Sequence, residues 1–191
     1  MKKAVSVLIV LILAFAIIGC GSSSKKQERT VPGYFPDFVK KAILNAPEDV
    51  LVGVGNAKLA SLSQSRTVST TRARAEISRQ METIIQDMVR DYQASSEVDP
   101  AAALSFQENM TVALSKSTLQ GSQVVDQDAT ADGMVWTVVF LGKTNVAQEI
   151  SQAQAAARLA VPAMASFNAE ARMNEAFDRV NNQEVGARSN D

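Results

Sequence analysis

The stretch TVSTTRARAEISRQMETIIQDMVRDY, residues 67–92, has the strongest periodic pattern in this 191-residue chain. Apolar side chains recur in it three or four positions apart, and most of the charged side chains fall on other faces. The apolar set is Ile77, Met81, Ile84, Ile85, Met88 and Tyr92. This spacing predicts a long amphipathic helix that buries one face. On its surface we expect two ion pairs, Arg72 with Glu76 and Arg79 with Glu82.

A second helix and a β-hairpin are predicted downstream. Asp99 and Pro100 fit the N-cap and first position of a shorter helix. Strand-like patterns follow in STLQGSQVV, residues 117–125, and in MVWTVVFLG, residues 134–142, with DQDATADG, residues 126–133, as the loop between them. Both faces of the second strand are apolar, so we expect it to be central.

Further along, the chain from residue 145 is rich in Ala and Gln and predicts a helix that Pro162 kinks or breaks. We expect Ile84 and Met88 to meet Trp136 between the long helix and the central strand. The final segment NNQEVGARSND, residues 181–191, is typical of a frayed end.

Upstream of the long helix, VLVGVG, residues 50–55, predicts a short buried strand. Its two glycines begin a G-x-G pattern, and Glu76 lies about twenty residues further on, as in a dinucleotide site. The third glycine position is Lys58, and no helix opens immediately. We therefore interpret Gly53 and Gly55 as a strand end packed under the long helix, without a cofactor.

The other chemical motifs are weak. Asp126, Asp128 and Asp132 suggest a calcium loop, but Thr137 stands where an EF-hand has its bidentate glutamate, which favours a solvated hairpin loop and no metal. The chain has no histidine, so no serine has the usual catalytic base. We expect no enzymatic activity and no cofactor.

The N-terminus indicates export and lipid attachment. Lys2 and Lys3 precede an apolar run over residues 4–19 that is too short to span a bilayer comfortably, which is typical of a signal peptide. Cys20, the only cysteine, follows Gly19 and resembles the acylated cysteine of bacterial lipoproteins. The Gly, Ser and Lys residues behind it predict a flexible tether. After removal of the signal, acidic side chains exceed basic ones by three, which argues against a nucleic-acid partner.

These patterns divide the chain into four parts. We predict a lipoprotein signal peptide over residues 1–19, and a lipidated N-terminus with a flexible tether over residues 20–36. A single α+β domain follows over residues 37–181, with a disordered tail over residues 182–191. The fold class is α+β, with a small antiparallel sheet of about three strands packed against the long helix and further helices that include a C-terminal one.

Three pieces in order carry a resemblance to a known family. They are the lead-in with Pro36, Asp37 and Phe38, the strand VLVGVGNA at residues 50–57, and TTRARAEISRQMETII at residues 70–85. Together with STLQGSQVVDQ and GMVWTVVFL they resemble the LPP-twenty family of small bacterial envelope lipoproteins. The resemblance implies a surface or outer-membrane lipoprotein with a compact α+β domain and no catalytic residues.

The function expected from these features is that of an envelope lipoprotein that binds or scaffolds another envelope protein or cell-wall polymer. Its acyl chains would hold it in the outer membrane, with the inner membrane as the alternative. Tyr34, Phe35 and Phe38 in the lead-in are the candidate partner surface, with packing onto their own domain as the competing interpretation. The alternative function is a carrier of a small apolar ligand in a pocket between helix and sheet.

Overall fold

The structure is a computed structural model that describes residues 29–115, 119 and 121–181. The described residues form five α-helices and three strands, which follow one another in the order α, β, α, α, β, β, α, α. They are α1 Asp37–Leu44, β1 Val50–Ala57, α2 Leu62–Ser95, α3 Pro100–Ser115, β2 Gln123–Ala129, β3 Val135–Gly142, α4 Lys143–Ala160 and α5 Ala169–Asn181. The predicted α+β class, with a long helix and a C-terminal helix, is confirmed.

The three strands form one antiparallel sheet in the order β1, β3, β2. The central position predicted for β3 is therefore confirmed. The turn between β2 and β3 is tight because Gly133 N–H donates to Thr130 O at 2.8 Å, and Gly133 has a φ of +83° that glycine adopts without strain. The loop is thus shorter than predicted, since Asp126 and Asp128 belong to β2.

Helix α2 is longer than its apolar pattern indicated, with 34 residues. Its first half crosses the sheet and its second half packs against the other helices. Where α2 crosses β3, the contact between helix and strand is polar. The hydroxyl oxygens of Ser69 and Thr137 lie 2.7 Å apart, and Gln127 Nε2 donates to the same Thr137 oxygen at 2.7 Å. This network satisfies the polar groups buried between the helix and the middle of β3.

The contact between α2 and β1 depends on two glycines. A Cβ atom added to Gly53 would lie 2.1 Å from the main-chain oxygen of Ala73, and one added to Gly55 would lie 2.2 Å from that of Ser69. Such distances are far inside van der Waals contact, so only glycine allows the helix to lie this close. The interpretation of the G-x-G pattern as a packing feature is confirmed.

Each face of the sheet has its own apolar core. The α2 face carries Leu51, Val139 and Leu141 and is continuous with the core between the helices. The opposite face carries Val52, Trp136 and Val138. It is covered by Val39 and Ile43 of α1 and by Phe35 of the segment before α1. The expected meeting of Ile84, Met88 and Trp136 is therefore wrong. Alternation along β3 indicated which side chains share a face, but not which face the long helix covers.

The helical half closes around three aromatic rings. Phe106 of α3 and Tyr92 of α2 both contact Phe167, with ring centroids 5.1 and 5.4 Å away.

The predicted cap at the start of α3 is confirmed, because Asp99 Oδ2 accepts a hydrogen bond from Ala102 N–H at 3.1 Å. The predicted break is also confirmed, since α4 ends at Ala160 and Pro162 begins a short 3-10 turn.

The ion pairs of α2 differ from those predicted. Arg79 pairs with Glu76 instead of Glu82, and Arg72 donates to the main-chain oxygen of Asn56 at 2.7 Å. The buried position of Glu76 beside the sheet explains the first change, because a carboxylate removed from water needs a charged partner.

Among the described residues, no helix is long and apolar enough to cross a membrane.

Candidate functional site

Arg29 fixes the point at which the chain enters the domain. Its Nη2 donates to the main-chain oxygens of Pro47 at 2.8 Å and Val50 at 3.2 Å, and to Asn181 Oδ1 at 3.2 Å. Burial lowers the pKa of the guanidinium below its ordinary value, with Glu48 opposing the shift, and an arginine remains cationic all the same. The first described residue thus ties the incoming chain to the start of β1 and to the end of α5.

The last part of the tether predicted over residues 20–36, residues 29–36, includes side chains that contact the domain. Val31 and Phe35 of this segment pack into the core on the Trp136 side of the sheet, and Phe35 is only 5% exposed. The predicted signal peptide, Cys20 and the predicted tail over residues 182–191 lie outside the described residues.

The three aromatic residues of the predicted partner surface have different environments. Phe35 is buried, with its ring centroid 5.4 Å from that of Trp136 in an edge-to-face contact. Phe38, on α1, is half-buried against the same core. Tyr34 is 57% exposed, and its ring lies edge-on to Phe35 at 4.8 Å. The structure therefore brings the three residues together but leaves only Tyr34 largely in solvent.

The acidic side chains of the suspected calcium loop do not converge. Asp126 and Asp128 lie on β2, whereas Asp132 caps the turn, where the hydroxyl of Thr130 and the N–H of Met134 donate to its carboxylate and lower its pKa. In the described ranges, no group of three or more acidic, histidine or cysteine side chains is placed to hold a metal ion.

A cleft of about 510 Å³ lies between α4 and the start of α5. Its walls include Arg158 and Gln154 on one side and Asn168 and Glu170 on the other. The N–H groups that open α5 are already bonded: Gln154 Oε1 accepts from Ala169 at 2.7 Å, and Asn168 Oδ1 accepts from Glu170 at 3.1 Å. These donors are consumed within the protein, so the helix N-terminus does not offer them to an anion.

Arg158 lines this cleft and is half-buried. Its Nη2 donates to the main-chain oxygen of Phe167, which joins α4 to the segment before α5. Its Nε–H is buried and has no hydrogen-bond partner among the described residues. An atom that solvent does not reach in this structure is also out of reach of a ligand that occupies the cleft. We interpret the cleft as a junction between helices.

Sequence reasoning missed two features that matter for binding. The partners of Arg29 lie between 14 and 152 residues away along the chain, so no local pattern could have indicated them. The open outer edge of β2 was also missed, because the apolar faces of β3 indicated a central strand but not which edge of the sheet other side chains would cover.

No protein-family model, no curated protein and no solved structure matches this chain. The resemblance to the LPP-twenty family therefore stays a prediction from the motifs given above.

Proposed function

We propose that this protein is a lipid-anchored envelope lipoprotein that acts as a non-enzymatic binding module. The observation that carries the proposal is the arrangement at the N-terminus: Cys20 follows an apolar run typical of an export signal, and Arg29, nine residues further on, is hydrogen-bonded to the domain. The acyl chains of Cys20 would hold the protein in the outer membrane, and the packed domain would meet another envelope protein or cell-wall polymer there.

The predicted tether sets how far the domain stands from the membrane. Residues 20–28 would reach at most about 30 Å if fully extended. As a flexible coil they would span roughly 15 to 18 Å on average. The lead-in around Tyr34 follows directly, so this part of the domain would lie on the side nearer to the membrane.

Tyr34 has the character of an interface anchor. Its ring is exposed, yet it rests on Phe35, which in turn rests on Trp136 of the central strand. Aromatic side chains that are held in place before binding lose little conformational entropy on contact with a partner. Rings of this kind carry a large share of binding energy in protein interfaces.

The alternative function, a carrier of a small apolar ligand between helix and sheet, has less support. At the level of Gly53 and Gly55, helix α2 and strand β1 are too close to admit even a methyl group. The cleft between α4 and α5 lies elsewhere and has many polar groups in its walls.

Replacing Cys20 by alanine tests the anchoring. The parent should incorporate labelled fatty acid and partition into the detergent phase, whereas Cys20→Ala should do neither and should accumulate as an unprocessed precursor. Ser24→Ala, four residues further along the predicted tether, is the matched control and should behave like the parent. Equal labelling of Cys20→Ala and the parent would show that Cys20 is not the attachment site.

Two single substitutions separate binding from packing in the lead-in. Tyr34→Ser should reduce crosslinking to envelope partners in intact cells and lower the melting temperature much less than Phe35→Ser, because the Tyr34 ring is largely exposed. Phe35→Ser should instead lower the melting temperature, because it removes a buried ring. Leu159→Ser, at a side chain that is 87% exposed on α4, controls for the loss of any surface apolar group. Unchanged crosslinking by Tyr34→Ser would remove Tyr34 from the binding surface.

A further inference from the structure

The two edge strands, β1 and β2, differ in how far side chains cover their outward main-chain groups. Lys143 N–H donates to Asp49 O at 2.8 Å, so this pair is a hydrogen-bonded pair of the ladder between β1 and β3. Hydrogen-bonded pairs alternate along an antiparallel ladder, so the odd-numbered residues of β1 bond to β3. The main-chain groups of the even-numbered residues therefore point away from the sheet. Side chains cover three of these outward oxygens. Arg29 donates to Val50, Gln80 to Val52 and Arg72 to Asn56, at 3.2, 2.8 and 2.7 Å. Three of the four outward oxygens of β1 are thus occupied, which hinders the pairing of another strand at this edge.

The β2 edge has no such cover among the described residues. Its register with β3 leaves the main-chain groups of Val124, Gln127 and Ala129 pointing outward. The N–H of Ala129 is bonded to the side chain of Asp128 at 2.8 Å. In the described part of the chain, no hydrogen bond reaches the outward main-chain groups of Val124 or Gln127. An open row of this kind is a template for another strand.

The side chains of this edge combine exposed apolar surface with unpaired negative charge. Val124 and Val125, at a bulge in β2, are 44% and 43% exposed. Asp126 and Asp128 lie on the opposite face from Val124, beside Val138 and Trp136 of β3. Neither carboxylate takes part in an ion pair with any described residue.

We propose that the β2 edge binds an extended segment of another polypeptide in which basic and apolar side chains alternate, and that this segment becomes a fourth strand. The inference rests on the binding-module half of the proposed function and names the class of partner. Residues that stand directly opposite each other on two paired strands have their side chains on the same face of the sheet. Because successive side chains of a strand alternate between the faces, basic side chains of the segment would lie opposite Asp126 and Asp128, and an apolar side chain would lie opposite Val124. Main-chain bonds would provide affinity, and the side chains specificity.

The same charges argue against a second copy of this chain as the occupant. If two β2 strands paired antiparallel about Gln127, Asp126 of each copy would stand opposite Asp128 of the other. Like charges directly opposite destabilise a strand pair. In this register two copies of the edge would repel each other, whereas a basic segment would be complementary to its charge.

The test uses the full-length chain in a non-ionic detergent and a blocked, fluorescent peptide, Lys-Val-Lys-Val-Lys-Val-Lys. Fluorescence anisotropy should show saturable binding that weakens with salt. The double variant Asp126→Lys/Asp128→Lys should bind this peptide at least about tenfold more weakly and should prefer a peptide with glutamate in place of lysine. The control Glu97→Lys/Glu108→Lys makes the same change of net charge at exposed positions elsewhere and should bind like the parent.

A second peptide tests the strand itself without any change to the protein. Lys-Lys-Lys-Lys-Val-Val-Val has the same composition but no alternation, so it should bind at least about tenfold more weakly. Equal binding of both peptides, or no saturable binding, would overturn the proposal. Self-association that Asp126→Lys/Asp128→Lys abolishes would identify a second copy as the occupant and would also overturn it. The Cys20→Ala chain should bind the peptide like the parent, so failures of anchoring and of edge binding are distinguishable.

Discussion

Gly55→Ala should lower the free energy of unfolding by about 3 kcal/mol, at the upper end of the usual cost of overpacking a core. The added methyl carbon would lie 2.2 Å from the main-chain oxygen of Ser69 and 2.4 Å from the main-chain nitrogen of Ala73. Both atoms belong to the backbone of α2, so no rotation of a side chain relieves the clash. The helix must move away from the sheet, and the buried hydroxyl contact between Ser69 and Thr137 would lengthen with it.

The measurement is urea unfolding followed by circular dichroism, where a lower midpoint at an unchanged slope reports a loss of stability. Gly33→Ala is the matched control, because nothing lies within 4 Å of a Cβ atom at that position. It should change the free energy of unfolding by less than about 1 kcal/mol, with a gain expected from the stiffer unfolded chain. Equal stability of Gly55→Ala and Gly33→Ala would mean that α2 does not lie against β1 as described.

Phe167→Ala should cost about 3 to 5 kcal/mol, the range observed when a buried phenylalanine is truncated. The side chain is fully buried and contacts the rings of Tyr92 and Phe106. The main-chain oxygen of Phe167 also accepts a hydrogen bond from Arg158 of α4, which ties the segment before α5 to α4. The backbone around Phe167 is fixed by this bond, so the site would collapse only in part and a cavity would remain.

Leu159→Ala provides the contrast for this second prediction. Leu159 follows Arg158 on α4 but is 87% exposed, so its truncation should change the free energy of unfolding by less than about 0.5 kcal/mol. The same urea titration serves both variants. If Phe167→Ala cost no more than Leu159→Ala, the ring cluster would not be part of the core.

These stability results bear on the proposed binding surfaces as well. The open edge of β2 belongs to the sheet that α2 supports, and Tyr34 rests on Trp136 of the same sheet. Gly55→Ala should therefore weaken both kinds of binding, whereas Tyr34→Ser should leave peptide binding at the β2 edge unchanged. A loss of peptide binding in Tyr34→Ser would indicate that the two surfaces are one.

The sequence by itself determined the features that depend on near neighbours in the chain. The three-to-four spacing of Ile77, Met81 and Ile84 predicted the long helix, because side chains at that spacing share one face. Asp99 beside Pro100 predicted a helix start, and Pro162 predicted a break, because capping and the missing N–H act within one turn.

Only the tertiary structure decided which surfaces these elements bury. Alternation in β3 grouped Trp136 with Val138, but the layer that covers them is α1 and the lead-in, which come from a distant part of the chain. Arg29 covers an outward oxygen of β1 and is itself held by Asn181, 152 residues away, while β2 receives no such cover from the described residues. The physical reason is that local patterns fix the direction of a side chain relative to its own backbone, whereas burial and edge protection depend on which other segment folds against it.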